Sequence, residues 1–385
     1  VIDSAAWRAH ADRLEPRLVE ASRASARSAP LWRRAHGCEY EYMARVEAAR
    51  GPHPIYVRRR AHVDAFSVEH APQEELLDSN RAPVLLESQY QPNVAFASSV
   101  RGVSVFRPSP CGLLTGYTSD LTGGESYTLS VVRLGAEAAA GGGTPAVSIR
   151  GVDADFVWGA GGTLFYVTLD AAGRPCRVHR RRFGGDGAEA NRATKAKRRR
   201  KGADGTRRTV TAAGAELVDG ALGEVIFEEP DDRFRVAIRP SPDGSRLLVE
   251  LQSRDSSEVW ALLLTSGEDA WHCVGRRRAG VTYHVSHDAG GYTVLCHGDG
   301  DSDGRSLCAL SDADAATERG HGAWTRVALG DAAAGLANRS LVGLQGFLGF
   351  VALEAREGAA SAVYIAQRGD ERAGADGGEG GAATT

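Results

Sequence analysis

Gly300-Asp301-Ser302-Asp303-Gly304 matches G-x-S-x-G, the spacing of a serine nucleophile elbow. In such an elbow the serine sits on a tight turn between a strand and a helix, beside amides that hold an oxyanion. Here Asp301 and Asp303 would oppose that oxyanion, and Leu307 to Leu310 reads as a strand instead of a helix. The pentapeptide is expected to be a hairpin turn, so no catalytic residue is assigned. Asp299, Asp301, Asp303 and Gly304 also spell D-x-D-x-D-G, the start of a calcium loop. The twelfth position of that loop needs a bidentate Glu and holds Leu310, so no metal site is assigned. His284 and His287 stand three apart on an expected strand and so face opposite sides, a poor arrangement for sharing one metal. His36, His53, His272 and His321 lie in no acidic pattern. Structural or surface roles are expected for all the histidines, and no cofactor.

The remaining charged clusters read as solvated surface. Lys195-Ala196-Lys197-Arg198-Arg199-Arg200-Lys201 lies among Gly, Ala and Asp without aromatic residues to stack on bases. It reads as a disordered loop, and Arg276-Arg277-Arg278 as a strand-edge or turn cluster. Net charge is -3 over 385 residues, so charge implies neither a nucleic-acid nor a membrane partner. No run approaches the roughly 18 apolar residues that span a bilayer. Cys38, Cys111, Cys176, Cys273, Cys296 and Cys308 are scattered without a C-x-x-C pair. That pattern reads as reduced thiols, hence a cytoplasmic location.

The elements that carry these residues are strands. Residues 1–33 read as a helical segment, with Trp7, Leu14 and Leu18 at helical spacing and Pro30 ending it. From there to Gln367 the pattern is short strands separated by Gly, Asp, Ser and Pro. Tyr40, Tyr42, Ala44 and Val46 alternate with polar residues, and Ile55-Tyr56-Val57 returns after Gly51-Pro52. Phe106-Arg107-Pro108-Ser109-Pro110-Cys111-Gly112 is echoed by Ile238-Arg239-Pro240-Ser241-Pro242-Asp243-Gly244. Phe156-Val157-Trp158 with Gly161-Gly162, then His287-Asp288-Ala289-Gly290-Gly291, make further copies, and Gly346 marks a fifth. Gly112 to Gly162 is 50 residues, Gly244 to Gly290 is 46 and Gly291 to Gly346 is 55. These intervals fit propeller blades of about 40–50 residues. Gly162 to Gly244 is 82, an excess that coincides with a basic insertion over 184–214. The fold class is therefore all-β, a β-propeller over 34–367 with about five to six blades and a disordered Gly/Ala-rich tail at 368–385.

Several stretches then resemble the prolyl oligopeptidase family of serine peptidases. Glu39-Tyr40-Glu41-Tyr42 through Pro54-Ile55-Tyr56-Val57-Arg58-Arg59 looks like the first propeller blade of its oligopeptidase B branch. Glu75-Leu76-Leu77-Asp78-Ser79-Asn80 resembles the E-x-L-L-D-x-N segment of that branch. Phe156-Val157-Trp158, Leu164-Phe165-Tyr166-Val167, Arg174-Pro175 and Val178-His179-Arg180 are similar to a later blade. Val225-Ile226-Phe227-Glu228-Glu229-Pro230-Asp231-Asp232-Arg233-Phe234, with Ser256-Ser257-Glu258-Val259-Trp260, is the strongest match. It resembles oligopeptidase B and prolyl endopeptidase-like proteins. The resemblance implies a seven-bladed propeller over an α/β-hydrolase domain that carries a Ser-Asp-His triad, the propeller admitting only short peptides. It also implies cleavage after basic residues, or after proline, by a catalytic domain that is not in this stretch of sequence. Peptide substrates would be partners through that domain. A stand-alone binding propeller and a degenerate non-peptidase relative are the competing expectations.

Overall fold

The structure, a computed structural model, describes residues 33–34, 39–47, 49–51, 53–61, 72–80, 102–120, 123–134, 147–183, 222–264, 270–288, 291–298, 305–316, 324–326, 340–347, 350–357 and 360–367. The helical segment before Arg33, the basic insertion at 184–214, the turn at 299–304 and the tail at 368–385 lie outside the described residues. The chain divides into two compact units, Val1–Ala154 with Ala215–Leu222 and Asp155–Gly214 with Gly223–Thr385.

In the first unit β1 (Arg33–Arg34), β2 (Tyr40–Arg45), β3 (Ile55–Arg60) and β4 (Glu74–Asp78) form an antiparallel sheet in chain order. Arg33 is paired with Tyr42, so the expected helical segment has given way to strand at its last residue. A second sheet follows with β5 (Gly102–Pro108), β6 (Leu114–Asp120) and β7 (Tyr127–Arg133). The next strand, β8 (Val147–Trp158), pairs with β7 over Val147–Val152 and then runs on into the second unit.

There the order continues through β9 (Thr163–Leu169), β10 (Pro175–Arg182) and β11 (Glu224–Glu228). The next antiparallel sheet is β12 (Arg235–Pro240), β13 (Arg246–Gln252), β14 (Ser257–Leu263) and β15 (Trp271–Gly275). It is followed by β16 (Thr282–Asp288), β17 (Gly291–His297), β18 (Arg305–Ser311) and β19 (Thr325–Arg326). A four-residue helix, α1 (Asp312–Ala315), leaves the end of β18. The last sheet holds β20 (Ser340–Phe347), β21 (Phe350–Glu357) and β22 (Ala360–Gln367).

Strand β13 shows how these sheets bury themselves. Successive side chains on a strand point to opposite faces. Leu247, Val249 and Leu251 pack on one face with Val157, Phe165, Val167 and Val178 of the preceding sheet. Leu248 looks the other way, into a cluster with Tyr283, Val285, Tyr292 and Val294 of the following sheet. A sheet covered on both faces reads as an unbroken apolar run, and Leu247-Leu248-Val249 is one. Truncating Leu248, fully buried, to Ala is worth about 2–5 kcal/mol. The stack thins at β22, where Val363 and Ile365 are 68% and 69% exposed.

Two sequence expectations change. Period two at Tyr40, Tyr42, Ala44 and Val46 implied one inward face, yet Ala44 and Val46 are exposed while Tyr42 and Met43 are both buried. Tyr42 joins Leu76 and Leu134, whereas Met43 joins Ile55 and Val57, so this strand also has two covered faces. Gly346 does not sit between strands. It lies inside β20, paired with Val351. A Cβ there would stand 1.7 Å from Ser286 Oγ, so glycine is required for the close approach of β20 to β16.

Candidate functional site

The repeated Ser-Pro-x-Gly segments fold into the same turn. After β12, Ser241 N donates to Arg246 O at 2.9 Å, Gly244 N donates to Ser241 O at 2.9 Å, and Arg246 N donates to Ser241 Oγ at 2.9 Å. After β5, Ser109 N donates to Leu114 O at 2.9 Å, Gly112 N to Ser109 O at 3.0 Å, and Leu114 N to Ser109 Oγ at 3.1 Å. Both glycines have a φ of 69°, the left-handed region that a residue with a Cβ resists. The third position differs: Cys111 in one turn, Asp243 in the other.

Asp243 anchors a cluster of ionisable side chains. His287, at the end of β16 with its side chain 3% exposed, places Nδ1 3.2 Å from Asp243 Oδ2 and Nε2 3.0 Å from Asp312 Oδ1. Asp312 opens α1, whose Ser311 cap accepts from Asp314 N at 3.1 Å. Arg246 Nη2, from β13, donates to the same Asp312 Oδ1 at 3.0 Å. Tyr292, from β17, lays its ring 4.6 Å from that of His287. Burial pushes the Asp243 carboxyl upward, but hydrogen bonds from His287, Ser241 and Ser245 outweigh it and hold the group well below the usual carboxylate range. Burial opposes ionisation at Asp312 too, and contacts from Arg246 and His287 hold it below its ordinary value. The Tyr292 phenol is pushed up to about 12, chiefly by burial.

Ser245, His287 and Asp312 form a chain of contacts, with Ser245 Oγ 3.4 Å from His287 Nδ1 and Asp312 on Nε2, the reverse of the nitrogens that a Ser-His-Asp triad uses. They do not make an activated nucleophile. Ser245 Oγ donates to Asp243 Oδ2 at 2.7 Å, so its proton is already engaged by a carboxylate.

A second cluster gathers the strongest sequence motif. Arg277 Nε donates to Glu258 Oε2 at 2.9 Å, its Nη2 pairs with the buried Glu229, and its Nη1 lies 3.4 Å from Asp231 Oδ2. Its guanidinium sits 3.6 Å from the centre of the Phe234 ring. Glu258 Oε1 also accepts from Trp260 Nε1 at 2.9 Å. Arg174 Nη1 donates to the carbonyls of Asp231 at 2.9 Å and Phe234 at 2.8 Å. Four residues of the strongest family-like stretch, Glu229, Asp231, Phe234 and Glu258, are thus partners of Arg277 or Arg174.

Ser302, Asp299, Asp301 and Asp303 lie outside the described residues, as do His36 and His321. The segment after them is the strand β18, as expected, and not the helix that an elbow requires. His284 is exposed and His287 buried, on opposite faces of β16. His53 N donates to Asn80 Oδ1 at 2.9 Å, and His272 Nδ1 lies 3.2 Å from Ala315 O. Arg277 is more than a turn residue, since its carboxylate partners come from β14 and from the segment after β11. Sequence reasoning missed the partners of His287, because Asp243 and Asp312 are 44 and 25 positions away. Among the described residues, no three His, Cys, Asp or Glu side chains are placed to hold a metal ion.

Sheets of antiparallel strands, stacked face to face and repeating along the chain, are the construction of a β-propeller. No protein-family profile matches the sequence. Over 253 residues the chain is 26% identical to Protease 2 of Moraxella lacunata, covering 66% of this chain and 29% of that protein. Oligopeptidase B from Leishmania major superposes with a TM-score of 0.62 at 20% identity, over 90% of this chain and 39% of that one. A prolyl endopeptidase superposes with a TM-score of 0.55 at 15% identity, over 88% of this chain and 41% of that one. The chain aligns with the propeller domain of the prolyl oligopeptidase family, and spans less than half the length of these relatives.

Proposed function

We propose that this chain is the substrate-gating propeller of a serine-type oligopeptidase, with residues 34–367 as the propeller. The hydrolase domain that carries the triad would be supplied by further sequence of the same protein. The observation that supports this reading most is the coincidence of sequence and fold: segments resembling oligopeptidase B recur along the chain, and a solved oligopeptidase B superposes over 90% of it while only 39% of that peptidase is matched. Short peptides, cut after basic residues, are the substrates that fit the oligopeptidase B likeness. A cytoplasmic location fits the five described cysteines, which form no disulfide with one another. Among the described residues no helix is long and apolar enough to cross a membrane.

The test compares the 385-residue chain with the same chain joined to its downstream coding sequence, using basic and prolyl reporter peptides and a fluorophosphonate probe. The longer protein is expected to label and to hydrolyse the basic reporter, and the 385-residue chain to do neither. A downstream sequence without a serine elbow would overturn the reading. So would hydrolysis by the short chain that Ser302→Ala abolishes.

A further inference from the structure

In the second unit each sheet is covered by the one that follows it in sequence. Val157, Phe165 and Val178 of β8–β10 pack on Leu247 and Val249 of β13, and Leu248 of β13 packs on Tyr283 and Val294 of the next sheet. Leu295 and Leu307 of that sheet pack in turn on Leu353 of β21, with Leu344 and Tyr364 alongside. The β20–β22 sheet is the last, and only this one face of it is met. Its alternate residues point the other way. There Phe347 is opposite Phe350, Ala352 is opposite Ile365, and Glu354 is opposite Val363. The two phenyl rings stack at 4.7 Å, and Phe347, Val363 and Ile365 are exposed.

The edge of this sheet differs from the others as well. The β1–β4, β12–β15 and β16–β19 sheets have four strands each, whereas β20–β22 has three. Elsewhere the outer strands are acidic or short. β4 carries Glu74, Glu75 and Asp78, β11 carries Glu224 and Glu228, β15 has five residues and β19 has two. β22 reads Ala-Ser-Ala-Val-Tyr-Ile-Ala-Gln, eight residues without a charge, a proline or a glycine. A long uncharged edge is a template for pairing with another strand, and folded proteins avoid leaving one open. Residues 368–385 contain no apolar side chain larger than alanine, so they cannot supply the missing apolar cover.

We propose that β22 is an interior strand of the full-length protein. Its free edge pairs with a further antiparallel strand, and the face bearing Phe347, Phe350, Val363 and Ile365 is covered by a further sheet, both from sequence beyond Thr385. The occupant follows from the order of stacking: the cover of each sheet so far is the next sheet along the chain. It brings aliphatic or aromatic side chains against Val363 and Ile365, as Leu295 and Leu307 meet Leu353. The propeller then runs past Gln367. The inference rests on the reading above in one respect, that the protein continues, and it makes no use of the hydrolase chemistry.

The test places Val363→Cys or Ile365→Cys in the 385-residue chain and in the same chain joined to its downstream coding sequence, and reads maleimide labelling peptide by peptide. In the shorter chain both thiols are expected to label freely. In the longer protein they are expected to label at least about tenfold more slowly. Equal labelling overturns the proposal. So does shielding already present in the shorter chain: if independent of concentration, another segment of these 385 residues is the cover, and if it grows with concentration, a second copy is. Amide hydrogen exchange of β22 in the unsubstituted proteins decides should a cysteine variant fail to fold, with slower exchange expected in the longer protein and equal exchange overturning the proposal. A longer protein that shields Val363 yet hydrolyses no reporter peptide supports the cover and sinks the oligopeptidase reading. One that hydrolyses the basic reporter with Val363 still open does the reverse.

Discussion

The turns at Ser109–Gly112 and Ser241–Gly244 share their backbone and differ in what they grip. In the first, the buried Arg58 of β3 donates through Nη1 to Gly112 O at 2.6 Å, while its Nε donates to Glu74 at 2.7 Å and its guanidinium lies 4.2 Å from the Tyr40 ring centre. That turn is held by the preceding sheet through its own backbone, and Cys111 at its third position is left exposed. In the second turn the third side chain reaches the following sheet, where Asp243 meets His287. One scaffold therefore supports a contact accepted by a main-chain carbonyl in one turn and a contact made by a carboxylate side chain in the other.

Exchanging the third residues is the strongest way to break that comparison. Asp243→Cys takes from His287, Ser241 and Ser245 the carboxylate they share and is expected to cost about 2–4 kcal/mol. Cys111→Asp, at an exposed position, is expected to stay within about 0.5 kcal/mol. Chemical denaturation of both variants checks the asymmetry, and equal costs would mean that the two turns are energetically alike. The shared backbone predicts the opposite pattern for the glycines. Gly112→Ala and Gly244→Ala should each cost about 1–2 kcal/mol, because both sit at positive φ. Melts of the pair should therefore shift together.

Acid provides a gentler probe. Asp243 and Asp312 are depressed, so the unfolded chain binds more protons than the folded one once pH falls below about 4, the ordinary carboxylate value. Their contribution is complete above that pH and is lost progressively beneath it. Asp243→Asn should make stability fall less steeply between about pH 4 and pH 2 in urea titrations. The smallest perturbation is covalent labelling. Cys111 should react with a thiol reagent in the folded chain, while the buried Cys176, Cys296 and Cys308 should wait for unfolding.

Much of the fold was legible because its cause is local and repeated. A strand buried on both faces must be apolar throughout, as Leu247-Leu248-Val249 is, and a hairpin with positive φ selects glycine, as at Gly112 and Gly244. The match between the two turns could be read from residue types alone. What stayed hidden depends on pairing across distance. Ala44 and Val46 looked inward by alternation, yet the side chains of Tyr42 and Met43 are the ones their neighbours cover. Gly346 looked like punctuation, and it is a point where β20 passes too close to Ser286 to carry a Cβ. His287 looked unpartnered because one carboxylate comes from a turn three strands earlier and the other from a helix of four residues. No periodicity announces either.

The Arg277 cluster has a consequence for how the sequence can change. Glu229, with its side chain 6% exposed, and Glu258, at 16%, share one guanidinium, which also covers Phe234. Removing the arginine strands both carboxylates together, and removing either acid leaves the cation partly unanswered. Substitutions here should be strongly non-additive, tolerated in sets and penalised singly. A stretch that looks like a linear signature is in that sense one interlocked character, and its residues are free to drift only in company.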